Sequence, residues 1–340
     1  MKKAFSVFAI MAVMVTGLLA NGSSESAGSK TTSTKNLKLK YDLTVSFEHP
    51  WGVAASHFKD LMAQKSGDTM VVEIYPSSTS GSEADSLAGM QVGTTDMTMT
   101  GGSFAGYAKS AVLLEAPWAY NSERDVQKMM ESDIGKQIVA DFEKAGYHVL
   151  WYQLRAARQL TSNVPITTPA DLKGRKMRMS GNPLHTNMWN KAGAVCSAIA
   201  LNETFNALSQ GVVEMQENPY DFIYDNSFYE VQKYTNETSH VYSVIFNVIS
   251  SKKYAGLTAD QKRILDEASA EMQTFVNDLY FAHKDDYKQK CVEKGMQINT
   301  NVDREAFKQA MMPAIQEYLV GQGDNLWSMY QEIEKISSGN

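Results

Sequence analysis

The sequence predicts an α/β protein of two domains, and three observations predict it. The chain has 340 residues, more than one hydrophobic core usually serves. Segments that alternate apolar and polar residues take turns with segments whose apolar residues recur every three or four positions, as in α/β folds. One helical pattern, from Thr258 to Gly295 without a proline, would reach about 55 Å at ~1.5 Å per residue, longer than one small domain needs. It reads as a helix bridging two domains.

Taken in order, Leu43, Val45 and Phe47 alternate with polar residues and predict a strand ending at Glu48-His49-Pro50-Trp51. Ala54, Phe58, Leu61 and Met62 follow at helical spacing and stop at Gly67. Val71 to Tyr75 predicts a second strand, 83–92 a helix closed by Gly93, and Met97 with Met99 a third strand. Residues 123–144 carry one helical pattern. Tyr147 to Gln153, Gln159 to Thr161 and Met177 to Met179 predict strands. Asn202 is placed to cap a helix through Leu208, and Val241 to Ile249 is rich in β-branched residues, as in a strand. Thr258 and Gln261 form a capping box. Residues 303–319 and 324–336 predict two closing helices.

The first twenty residues stand apart. Lys2 and Lys3 precede an apolar run over 4–15, and Ala20 follows as the last residue before a cut. This is the pattern of a secretory signal peptide; the run is short for a membrane anchor, the other reading. Asn21 stands where a lipoprotein would need cysteine, so the expected product is exported and free of lipid. Residues 21–37 read as a flexible linker. Removing residues 1–20 takes away two lysines and no acids, so 32 basic residues become 30 against 38 acidic ones, a balance of −8. An acidic chain without a basic run is a poor nucleic-acid binder, so no nucleic-acid partner is expected, and a monomer is expected. Cys196 and Cys291 lack metal-ligand spacing; two ordinary thiols are expected, with a disulfide left open.

No phosphate-cradling glycine loop, Gly-x-Ser-x-Gly elbow or His-Glu-x-x-His pair occurs. The six histidines are scattered, and Asp285-Asp286 lies beside lysines on a helical pattern. We expect no catalysis, no metal and no cofactor.

The informative stretch is 155–219. It holds RAARQLTSN at 155–163, DLKGRKMRMSGNP at 171–183 and NETFNALSQGVVEMQENP at 202–219, with EVQKY following at 230–234. With these segments in this order, the chain resembles the periplasmic solute-binding subunits of TRAP transporters, the DctP-like family that includes dicarboxylate and sialic acid receptors. The resemblance runs from about residue 40 to 335. It implies a periplasmic binding protein fold, with a ligand cleft between 38–155 plus 244–283 and 156–243 plus 284–340, and with chain crossings near 150–156 and 240–250. It also implies capture of a small organic acid and delivery to TRAP membrane permease subunits.

Residue by residue, Arg178 matches the family arginine that pairs with the ligand carboxylate, Arg158 a second cleft arginine, and Asn218 the cleft asparagine. The chemistry is sound on its own terms: a guanidinium offers a carboxylate two parallel donors and keeps its charge. Two departures matter. Val195-Cys196-Ser197-Ala198-Ile199 replaces a proline-containing stretch of some members, and Gly101 stands where sialic acid receptors carry a glutamate. Glu48 and Glu83 fall near positions facing the ligand, where they would accept hydrogen bonds from hydroxyls and favour a sugar acid over a plain dicarboxylate. An exported sensor docking on a signalling receptor would show the same cleft; an exported enzyme on a similar fold would need catalytic groups not seen here.

Overall fold

A computed structural model describes residues 36–323 and 325–339. The expected signal peptide and nearly all of the linker lie outside the described residues.

β1 (Leu37–Asp42) buries Leu39 and Tyr41 and exposes Lys38 and Lys40, so period two is met here. The first strand thus ends before Leu43, Val45 and Phe47, which were expected to form it. Every β1 residue has a parallel partner in β2 (Met70–Tyr75), from Leu37 opposite Met70 to Asp42 opposite Tyr75. Beyond that register Leu43 and Val45 are buried in a loop and Phe47 is exposed. Between the two strands runs α1 (Pro50–Ser66), which ends on Gly67 at φ 58°, a left-handed turn that glycine takes without strain. Its N-cap is unusual: His49 Nδ1 accepts the Trp51 N–H at 3.1 Å.

α2 (Glu83–Val92) opens with a Ser82–Asp85 capping box and leads to β3 (Met97–Thr100). The single pattern over 123–144 is two helices, α3 (Glu123–Glu131) and α4 (Asp133–Lys144). Ser132 separates them; its hydroxyl accepts the Ile134 N–H and caps the second. β4 (Tyr147–Arg155), β5 (Gln159–Ser162), β6 (Lys176–Met179), α5 (Pro183–Lys191) and β7 (Val195–Ala198) follow. α6 (Leu201–Ser209) begins one residue before Asn202, so Ala200 holds the cap and Asn202 does not. Then come β8 (Gln216–Asn218), α7 (Tyr220–Asp225), β9 (Tyr234–Asn236), β10 (Ser243–Ser250), α8 (Ser251–Ala255), α9 (Ala259–His283), α10 (Asp286–Glu293), β11 (Gln297–Asn299), α11 (Arg304–Gln322) and α12 (Leu326–Ser338).

The strands form two principal sheets. One has the order β2-β1-β3-β10-β4, the other β11-β9-β5-β8, and β6 pairs with β7 in a small third sheet. The fold is α/β with two domains, one on each principal sheet. The chain passes from the first sheet to the second between Arg155 and Gln159 and returns between Asn236 and Ser243. The two passages are stitched where the Arg158 N–H donates to the Val241 carbonyl at 2.9 Å. The long helical run from Thr258 keeps its capping box with Gln261 but breaks at Lys284–Asp285. α9 packs on α1 and β4, whereas α10 packs on α7. The break lets Tyr287 and Cys291 bury beside α7 instead of following the line of α9. α12 packs against α3 as well as α11, with the Tyr330 hydroxyl donating to the Pro117 carbonyl. No helix among the described residues is long and apolar enough to cross a membrane.

Candidate functional site

Where the sheets face each other they enclose a cavity of about 420 Å³. Thr44, Trp51, Ser82, Glu83, Ser103 and Glu115 line one side; Arg178, Ser180, Asn218 and Phe222 line the other, with Arg155 and Arg158 at the passage between sheets. The walls approach closely at Gly102. A Cβ there would meet the Glu115 carboxylate at 2.6 Å and collide with the Asn182 amide, so the position requires glycine.

Three arginines reach this cavity, each nearly buried, and each is held differently. Arg178 stands on β6 between Met177 and Met179, both fully buried. Its main-chain N–H donates to Met215 and its Nε to the Ile199 carbonyl, both at 2.8 Å. Among the described residues its two Nη groups have no hydrogen-bond partner, and no acid lies within ion-pair distance. Burial depresses its pKa to about 10; the nearby Arg158 and Arg155 push the same way, against Glu217 and Glu83. A buried guanidinium left without an acid is poised for an anion.

Arg158 is committed instead. Its Nε and Nη2 grip both oxygens of Glu217, the latter at 2.6 Å, and Nη2 also reaches the Asn218 Oδ1 at 3.1 Å. His240 Nε2 lies 3.1 Å from the same carboxylate. Burial alone would raise the Glu217 pKa; Arg158 and His240 overcome it and hold the carboxyl well below the usual range. Arg155 pairs with Glu115 at 2.6 Å, and its guanidinium sits 5.4 Å from the Trp51 ring and 4.8 Å from the Phe222 ring. Asn182 holds the other Glu115 oxygen at 3.3 Å.

The structure therefore brings together Arg178, Arg158, Asn218 and Glu83, and leaves Glu48 out. Glu48 is exposed and absent from the lining, because the loop turns it outward and presents Thr44 and Trp51 to the cavity. Glu83, the first residue of α2, accepts hydrogen bonds from the Thr100 and Ser103 hydroxyls. Burial raises its pKa, and the two hydroxyls draw it back. Gly101 lines the cavity. Sequence reasoning missed Arg155, Glu115 and Glu217. Arg155 and Glu217 sat inside the quoted segments beside chosen residues, whereas Glu115 lies in a run of short helical turns that carries no motif. Cys196 and Cys291 are free thiols. No group of three metal-ligating side chains occurs among the described residues.

The family described as bacterial extracellular solute-binding protein, family 7, matches residues 43–321. A solute-binding protein of Roseobacter denitrificans is 34% identical over 302 residues, spanning 88% of this chain and 93% of its own length. The 2,3-diketo-L-gulonate-binding periplasmic protein of Escherichia coli is 28% identical over 313 residues, 91% of this chain and 95% of its own. In structure, a TRAP periplasmic solute-binding protein of Roseobacter denitrificans with bound L-galactonate superposes with a TM-score of 0.84 at 33% identity, over 88% of this chain and 99% of that one. One from Polaromonas bound to D-erythronate gives 0.82 at 25% identity, over 88% and 98%.

Proposed function

The chain belongs to the bacterial extracellular solute-binding protein family 7, and from that premise we propose that it is the TRAP-transporter receptor for a small hydroxylated organic acid. The observation that carries this reading is Arg178, buried on the cavity wall with both Nη groups free of protein acceptors. A carboxylate arriving there gains two parallel charge-assisted bonds. Glu83, Ser82, Ser103 and Thr44 stand on the other side of the cavity and suit hydroxyl groups. Arg158 and Asn218 form one hydrogen-bonded unit with Glu217 that shapes the wall beside the anion.

The remaining parts of the reading follow from the sequence. Residues 1–20 direct export and are removed, and the mature protein begins near Asn21 without lipid. Residues 38–155 plus 244–283 and 156–243 plus 284–340 are the two domains, which close on the ligand by hinge motion. The closed monomer passes its ligand, chemically unchanged, to the membrane permease subunits and has no nucleic-acid partner.

A thermal-shift screen of aldonates, uronates and C4-dicarboxylates, followed by calorimetry, tests the assignment. At least one hydroxylated acid is expected to bind, and Arg178→Lys is expected to weaken it while the fold is kept. An Arg178→Lys variant that binds within about threefold of the parent would sink the carboxylate clamp, because losing one charge-assisted bond costs roughly ten- to a hundredfold.

A further inference from the structure

Counting charges around the cavity separates paired groups from unpaired ones. Arg155 answers Glu115 at 2.6 Å and Arg158 answers Glu217. Among the described residues, two lining groups are left without a charged partner: Arg178, a cation, and Glu83, an acid. Glu83 cannot turn away, since it is fixed at the start of α2 and accepts from the Thr100 and Ser103 hydroxyls at one of its oxygens, Oε1. Its other oxygen makes no hydrogen bond to a described residue. Glu83 also acts electrostatically on Arg178, so the two belong to one site.

We propose that Glu83 sets the charge specificity of this receptor: the cavity takes an acid with one carboxylate and a hydroxylated tail, and rejects the corresponding diacid. This rests on the organic-acid reading above and deepens it. One carboxylate satisfies Arg178, and a tail hydroxyl donates to the open oxygen of Glu83. A second carboxylate has no cation left to meet. It would face Glu83 with an acceptor opposite an acceptor and like charges together, in a buried place where both effects are strong. Selectivity then comes from a repulsive element as much as from an attractive one.

The test uses two ligands of one carbon skeleton: L-galactonate and galactarate, in which the terminal hydroxymethyl carbon is a second carboxylate. D-gluconate and D-glucarate supply a second pair. Calorimetry at pH 7.5 on the parent is expected to favour the monoacid of a pair at least about tenfold. In Glu83→Gln the amide keeps an oxygen for Thr100 and Ser103 and gains an N–H that a carboxylate can accept, so the ratio should fall to within about threefold. A parent that binds the diacid as well as its monoacid overturns the proposal, as does a Glu83→Gln variant with an unchanged ratio. The parent ratio stands without any variant, and circular dichroism checks that the variant folds. A parent that binds no acid in the screen defeats the organic-acid reading itself, a result distinct from loss of selectivity.

Discussion

Arg158 and Arg178 lie on the wall of one cavity, equally buried, yet the molecule treats them in opposite ways. At the passage between the sheets, Arg158 is held from within: Glu217 takes its Nε and Nη2, His240 backs Glu217, and Asn218 shares the same Nη2. On β6, Arg178 spends one N–H on the Ile199 carbonyl and keeps the rest. The difference teaches that residue type and burial do not define a binding group. The partner does: a charge already answered inside the protein stiffens the wall, and a charge left open is free to answer a ligand.

The comparison breaks most severely at Glu217. Glu217→Gln leaves the Arg158 charge buried without its acid and should cost about 3–5 kcal/mol of stability, read as a lower midpoint in urea. The same pair can be broken with acid. Because the folded pKa of Glu217 is depressed, its contribution is complete above the unfolded value of about 4.3 and drains as the pH falls below it, by ~1.4 kcal/mol per unit. The stability gap between the parent and Glu217→Gln should therefore hold from pH 7 to 5 and narrow below about 4. A gap that stays constant to pH 3 would contradict the pairing.

Arg178 should respond in the reverse sense. Arg178→Ala should lose more than about a hundredfold in ligand affinity, and Arg178→Lys ten- to a hundredfold. Neither should lower the stability of the empty protein, since an unanswered buried charge costs rather than stabilises. A marked drop in the unfolding midpoint of Arg178→Ala without ligand would mean that the residue is structural after all. The smallest effect falls outside both regions. Thr258→Ala removes the capping-box hydroxyl of α9 and should cost about 1 kcal/mol, leaving affinity unchanged by calorimetry.

Much of this was legible in the sequence where a local signal and the tertiary fold agree. The bounds of α2, closed by Gly93, and the Thr258 start of α9 depend on neighbours three or four residues away, which a sequence displays. Two alternating segments lie end to end over 37–47, and only pairing with β2, some thirty residues on, selects the first of them. The breaks at Ser132 and Lys284 are likewise set by what the next helix packs against. Within the site, the motif positions Arg178, Arg158, Asn218 and Glu83 converge. Arg158 was placed there for its ligand, but its bond to Glu217 joins the residue before β5 to β8, a contact that no spacing reveals. Glu115 has no local signature at all; it becomes part of the site because β4 carries Arg155 to it. Glu48 failed for the converse reason, since a loop residue next to a lining residue need not line anything.

One detail of the wall gives the molecule an optical property. Of its five tryptophans, Trp51 alone among the described residues lines the cavity, with the Arg155 cation 5.4 Å from its ring and Phe222 edge-on at 4.9 Å. An anion entering beside it would alter the electric field across the indole. The protein thus carries its own fluorophore on the wall of the candidate site, and titration with a ligand is expected to shift the tryptophan emission without any dye.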